Sequence, residues 1–262
     1  MRTTTTPTIG IIGFGAFGRL MATHLAPRLP VLAHDPRLGR GAETGVDGVA
    51  SGTLEAAASC SIVVLAMPVQ RMAEAIATIA PHLRPGTLVL DVGSVKVLPA
   101  ALMQAGLPRH VEIAATHPLF GPESARDGLA GLKIMLCPIR GTRVLRVGAF
   151  LRRVLRLRVI LATPEEHDRE AAMVQGLTHL IAKVLIRMEP LPGRMTTRSF
   201  ELLMQGVGMV RNDAPEVFEA IERANPYAAE VRTRFFTLAA ALRGELEAAD
   251  WLRKVDPGPR AP

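Results

Sequence analysis

Two short blocks carry the side chains best suited to chemistry. One is Asp91-Val92-Gly93-Ser94-Val95-Lys96. The other is Thr116-His117-Pro118-Leu119-Phe120-Gly121-Pro122-Glu123. Each follows an apolar run that reads as a strand, so both sit at strand ends. A histidine can take up and return a proton near neutral pH, and a serine hydroxyl can orient it. Together they could assist hydride loss from a carbon bearing a hydroxyl. His117 would take the hydroxyl proton and Ser94 would orient the group.

Such chemistry needs a hydride acceptor, and the N-terminal segment offers a place for one. Residues 8–13 read as a buried strand. Gly13-Phe14-Gly15-Ala16-Phe17-Gly18 follows and opens a helix that runs to about Leu25. Asp35 ends the next strand, 22 residues after Gly13. That combination is the dinucleotide fingerprint. Gly13 permits the tight turn, Gly15 lets the backbone approach a pyrophosphate, and Gly18 lets the helix pack on the strand. The helix N-terminus adds free N–H groups and a positive dipole end. Asp35 can accept both ribose hydroxyls and would repel a 2′-phosphate, which favours NAD. Arg37 keeps NADP open. Met67 and Pro68, at the end of a third strand, are expected on the ribose side, with Met67 as plain core the competing reading.

The elements that must position these groups are strands at 8–13, 31–34, 61–66, 87–91, 111–115, 133–137 and 159–162, with helices between them, notably 69–82 and 141–157. Short apolar strands alternating with helices mean βαβ units and a mainly parallel sheet. The pattern changes near Thr163-Pro164. Helical stretches then run over 165–188, 197–210, 214–223 and 226–251. The expected fold is α/β: a doubly wound, Rossmann-type domain over 1–163, then an all-helical domain over 164–262. Helices with so much apolar surface suggest a homodimer.

Composition supports a globular chain. Of 262 residues, 48% are hydrophobic and 21% charged, which argues against disorder. The net charge of +7 could suggest a polyanion partner. Against that, the 27 Arg are scattered and no aromatic residues interleave for base stacking, so no nucleic-acid partner is expected. The Arg run from 140 to 158 reads as a solvated helix face. Two cysteines exclude a disulfide framework and a Cys-based zinc site, and no metal is expected. No stretch has the ~18 apolar residues of a membrane span, and the polar start is unlike a secretory leader. The expected location is the cytoplasm.

The motifs together resemble the prephenate/arogenate dehydrogenases of tyrosine biosynthesis. The resemblance rests on Gly13–Gly18, the Asp91–Lys96 block, the His117–Glu123 string and Glu165-Glu166-His167-Asp168. Gln175-Gly176-Leu177-Thr178-His179 and the segment around Thr197, Phe200, Glu201 and Leu203 also fit. The glycine loop and Gln175-x-x-Thr178-His179 look closer to the arogenate-type branch. The resemblance implies an NAD(P)-dependent oxidative decarboxylation, with His117 accepting the 4-hydroxyl proton and Ser94 orienting His117. Loss of CO2 then aromatises the ring.

Gln175 and His179 lie four apart on one helix face and could both reach the substrate. Arg211 and Arg198 are candidates for the ring carboxylate. Asp213 near the substrate side chain would favour an amino group, hence arogenate. Glu123 reads as a pocket rim. Glu166-His167-Asp168 reads largely as acidic helix-start charge that suits the dipole. Two rival readings remain. One is another Rossmann 3-hydroxyacid or imine dehydrogenase, with Lys183 as its catalytic lysine. The other is a non-catalytic NAD-sensing dimer.

Overall fold

The computed structural model describes residues 8–39 and 41–248. Its first part runs β1 (Ile9–Ile12), α1 (Ala16–Leu25), β2 (Val31–His34), β3 (Val49–Ser51), α2 (Leu54–Ala58), β4 (Ile62–Leu65), α3 (Met72–Ile79), β5 (Leu88–Asp91), α4 (Val97–Gly106), β6 (Glu112–Pro118), β7 (Lys133–Arg140), α5 (Val144–Arg153) and β8 (Arg158–Leu161). The eight strands form one sheet in the order β3-β2-β1-β4-β5-β6-β7-β8. Neighbours are parallel except β6 and β7. The order turns back between β1 and β4, which is the switch point where doubly wound sheets bind ligands.

The strands read as apolar runs because both sheet faces are covered. Side chains from alternate positions feed two separate cores. Val63, Leu65, Val89 and Ile113 face the α3 and α4 side with Met72, Ile76 and Met103. Ile11, Val64, Leu90 and Ala114 face the α1 and α5 side with Ala22, Leu25 and Val144. The strand at Val49–Ser51 is absent from the sequence reading. It is three residues long, lies on the sheet edge and lacks an apolar run.

The Arg-rich segment is not simply a solvated face. Arg140 donates from Nε to the Val111 carbonyl at 2.9 Å and from Nη2 to the Pro108 carbonyl at 2.7 Å. Arg143 donates to the Ser61 carbonyl at 3.2 Å and also to that of Gly86. These two guanidiniums bind carbonyls at the N-terminal edge of the sheet, those of Ser61 and Pro108 in addition to a backbone N–H each already accepts. Arg146, Arg152 and Arg153 are exposed as expected.

After β8 the chain becomes helical: α6 (Pro164–Ala171), a π-helical turn (Ala172–Gly176), α7 (Leu177–Arg187), α8 (Arg198–Val210), α9 (Pro215–Glu219), a second π-helical turn (Ala220–Ala224) and α10 (Ala228–Ala248). The start of α6 is fixed by local chemistry. The Thr163 hydroxyl accepts the Glu166 N–H, the Glu166 carboxylate accepts the Thr163 N–H, and Pro164 follows where its missing N–H costs nothing. The run expected as one helix over 165–188 is therefore broken at 172–176 by a wider turn, a device that re-aims side chains. The part of the expected last helix beyond 248 lies outside the described residues.

Candidate active site

The glycine loop is held by backbone sterics and one carboxylate. Gly13 has φ +98°, and a Cβ there would stand 2.4 Å from the Ala66 carbonyl oxygen. A Cβ on Gly18 would stand 2.3 Å from the Gly13 oxygen. At Gly15 the nearest atom to an added Cβ is the Arg37 guanidinium at 3.9 Å, so the loop is open on the side where a pyrophosphate would lie. Asp35 is buried and its Oδ2 accepts the Phe14 N–H at 2.8 Å, tying the loop to the end of β2. These residues fit a dinucleotide.

Arg37 modifies that picture. It donates from Nε to Asp35 Oδ1 at 2.9 Å and from Nη2 to Oδ2 at 3.0 Å, and its own N–H bonds Oδ1 at 2.9 Å. With the Phe14 N–H, Asp35 has four donors, about the capacity of a carboxylate. The side chain of Arg37 is 77% exposed, so it can swing away. Its guanidinium, helped by the two backbone N–H groups, holds the Asp35 carboxyl well below the usual range although burial opposes this. Met67 is half-buried against the core and Pro68 is exposed. Phe17, in the loop's helix, lies with its ring centroid 6.2 Å from that of Phe120, just past His117.

His117 closes β6 and is buried. Between the ends of β1 and β6 stand only β4 and β5. Three spacings of about 4.8 Å give roughly 14 Å, a reach suited to an extended dinucleotide. Beneath the site lies a fully buried ion pair, Lys96 with Asp91. The Lys96 ammonium also donates to the Thr116 carbonyl at 2.6 Å. Asp91 further accepts the Gly93 N–H at 2.9 Å and the Thr116 N–H at 3.3 Å. Burial pushes its carboxyl up, and Lys96 and the N–H donors oppose that.

The partners of His117 come from the helical segment. Its Nδ1 lies 2.8 Å from Nε2 of His167, and its Nε2 lies 3.4 Å from the amide nitrogen of Gln175. His167 Nδ1 lies 2.7 Å from Asp168 Oδ1. The expectation that Ser94 orients His117 is thus not met. Both ring nitrogens face other residues, and Ser94, half-buried after the end of β5, makes no hydrogen bond to His117. Burial, then the nearby His167 and Lys96, lower the pKa of His117 well below its ordinary value. The imidazole is neutral at physiological pH and can act as a base.

His167 and Asp168 are the inward side chains that helix-start charge concealed, and they reach His117. Glu166 does serve the helix start, but the next two side chains turn inward. A signal was available: 168, 172, 175 and 179 share one helical face, where Asp, Gln and His alternate with a small apolar residue. The structure brings Gln175, His179 and Asp213 together. His179 Nδ1 donates to the Gln175 carbonyl at 3.0 Å, and its Nε2 lies 3.2 Å from Asp213 Oδ2. It does not bring in Arg211, which pairs with Glu189, or Arg198, which pairs with Glu201. Glu123 is exposed. The Lys183 ammonium stands 5.4 Å from the Phe218 ring. Among the described residues no cluster suits a metal ion.

Comparison with known proteins bears on this geometry. Residues 33–157 match the model of the prephenate dehydrogenase nucleotide-binding domain. That similarity spans a little under half of the chain and begins beyond the glycine loop. Similarity to curated relatives continues into the helices. The chain is 29% identical over 245 residues to a "probable arogenate/prephenate dehydrogenase" of Methanocaldococcus jannaschii, covering 87% of this chain and 54% of that protein. It is 28% identical over 253 residues to chloroplastic arogenate dehydrogenase 1 of Arabidopsis thaliana, covering 91% and 39%. The chain thus spans about half the length, or less, of these curated relatives. Prephenate dehydrogenase of Aquifex aeolicus, solved with hydroxyphenyl propionate and NAD+, has the same fold: TM-score 0.72 at 20% identity over 97% of this chain and 98% of that one.

Proposed function

We propose that the protein is an NAD-dependent dehydrogenase that oxidatively decarboxylates prephenate or arogenate. The reading is carried by one observation: a buried, neutral His117 at the end of β6, on the same sheet edge as the glycine loop, with a glutamine from the helical segment facing its Nε2. Bound NAD would accept the hydride. His117 takes the proton of the substrate 4-hydroxyl at Nε2 as the carbonyl forms. Gln175 now occupies the position beside that nitrogen where the hydroxyl would enter, and its Oε1 is buried without a partner, free to accept from the substrate. Asp213, held by His179, favours a substrate amino group and so arogenate. Decarboxylation is driven by aromatisation, so the chain's task is positioning.

The finer assignments follow from the same reading. The cofactor-binding unit extends over 1–163 and the substrate-binding helices begin at 164, where the Thr163 cap starts α6. Homodimerisation through the helices is supported by apolar side chains left open on α8 and α10, among them Leu202, Met209, Phe236 and Leu242. The two cysteines, Cys60 and Cys137, are buried and free, in keeping with a cytoplasmic location. The test is direct. Purified protein with NAD+ is given prephenate or arogenate, and reduced nicotinamide and the aromatic product are measured. Turnover of either supports the proposal; NAD+ binding with no turnover of either leaves the sensor reading in its place.

A further inference from the structure

The hydrogen bonds around His117 have a direction that can be worked out from one end. Asp168 is fully buried, and its carboxylate accepts the N–H of Lys96 at 2.7 Å and of Val97 at 2.9 Å, capping the start of α4. Its backbone is fixed by Asn225, whose amide donates to the Asp168 carbonyl at 2.7 Å. A carboxylate held by donors at a helix N-terminus is an acceptor. His167 Nδ1, 2.7 Å from Asp168 Oδ1, must therefore carry a proton. A neutral imidazole protonated on Nδ1 has only a lone pair on Nε2. That lone pair faces His117 Nδ1 at 2.8 Å, so His117 Nδ1 is the donor. His117 Nε2 then keeps its lone pair, and it is the atom that faces the Gln175 amide, whose nitrogen can only donate. Every bond in the chain agrees in polarity.

We propose that His167 and Asp168 are positioning residues that hold His117 in the Nδ1–H tautomer and so present an unprotonated Nε2 to the substrate hydroxyl. The inference rests on His117 being the base of the proposed reaction. Without such a relay an imidazole favours the other tautomer, with Nε2 protonated and unable to accept. When the hydroxyl proton arrives at Nε2, the Nδ1–H bond persists, and the new positive charge is met through His167 by the Asp168 carboxylate. The relay also joins the two parts of the molecule. Asp168 belongs to the helical segment, yet it caps a helix of the sheet region. The helical part sets the protonation pattern of a base that the sheet supplies.

The test uses nitrogen NMR of the imidazole rings in the full-length protein without substrate, with His117 and His167 assigned by substitution. The expected result is a protonated Nδ1 and a bare Nε2 in both rings. In His167→Leu the His117 ring should shift to the Nε2–H form, and kcat should fall roughly 100-fold or more with KM nearly unchanged. In His167→Gln the amide can donate to Asp168 and accept from His117, so tautomer and most of kcat should return. A His117 protonated on Nε2 in the wild-type protein would overturn the proposal, as would an unchanged tautomer in His167→Leu. The wild-type spectrum decides even if a variant does not fold. It needs no turnover, so the expected tautomer in a protein inactive on both substrates would sink the proposed reaction and leave the relay standing.

Discussion

The glycine loop and the His117 cluster stand on one edge of one sheet and are built by opposite means. The loop is made of backbone: a turn only glycine can take at residue 13, a helix N-terminus, and one carboxylate 21 residues from the N–H it accepts. The cluster is made of side chains gathered from distant positions, with 50 residues between His117 and His167, 58 between His117 and Gln175, and 72 between Lys96 and Asp168. A backbone site keeps its shape through local sterics. A side-chain site keeps its shape only while the helical segment stays packed on the sheet. The loop should therefore be the more tolerant of changes in α6 and α7, and the cluster the more tolerant of changes in α1.

The largest expected effect separates the two regions at once. His117→Asn removes the base, and kcat should fall by about 10²–10⁴-fold while NAD+ affinity, measured by fluorescence titration, stays within about 3-fold. Equal loss of both would mean that the regions are not independent. Gly13→Ala should do the reverse. Its Cβ meets the Ala66 carbonyl in a backbone conformation that disfavours it, so stability should drop by about 3 kcal/mol, read as a lower Tm, and cofactor binding should weaken more than kcat at saturation.

Acid should also act on the cluster alone. The neutral His117 needs no deprotonation near pH 6.5, because its pKa in the folded chain lies well below that. The rate should accordingly hold level as pH falls through 6.5 and decline only at more acidic values. Stability behaves with a matching sign. The unfolded chain binds a proton at this histidine below about 6.5 while the folded chain does not, so stability is full above that pH and decreases as pH falls toward the folded pKa. A rate profile with its acidic limb centred near 6.5 would show that His117 is solvated, and the buried relay would have to be redrawn.

The same contrast explains what could be read in the chain. Gly13, Gly15, Gly18 and Asp35 were legible because their roles follow from spacing along one βαβ unit. The alternation of short apolar strands with helices, and its change to helix near residue 163, follow from the apolar pattern; the strand order does not. His117 was legible as a strand-end histidine. Its partners were not. Ser94 was the nearer candidate by motif, but strand-end proximity in sequence does not fix a side-chain direction. His167 and Asp168 carried an obvious local explanation, charge at a helix start, that Glu166 alone fulfils. The edge strand Val49–Ser51 was hidden because an edge strand needs little apolar sequence. Arg140 and Arg143 looked like surface because their partners are backbone carbonyls, which leave no trace in composition.

The smallest effect concerns the loop's choice of cofactor. Asp35 already accepts four donors, three of them from Arg37. A ribose diol must displace part of that set, whereas a 2′-phosphate could draw the exposed Arg37 guanidinium to itself. Arg37→Ala should free Asp35 for the ribose, and the KM for NAD+ should fall or stay level. The KM for NADP+ should rise about 10-fold, because the phosphate then meets a carboxylate with no cation to offset it. The ratio of the two kcat/KM values is the measurement. Because Arg37 touches nothing in the His117 cluster, kcat at saturating NAD+ should not move. A fall in that kcat would mean that the end of β2 and the end of β6 communicate through the bound cofactor, and that the loop and the cluster form one site when it is present.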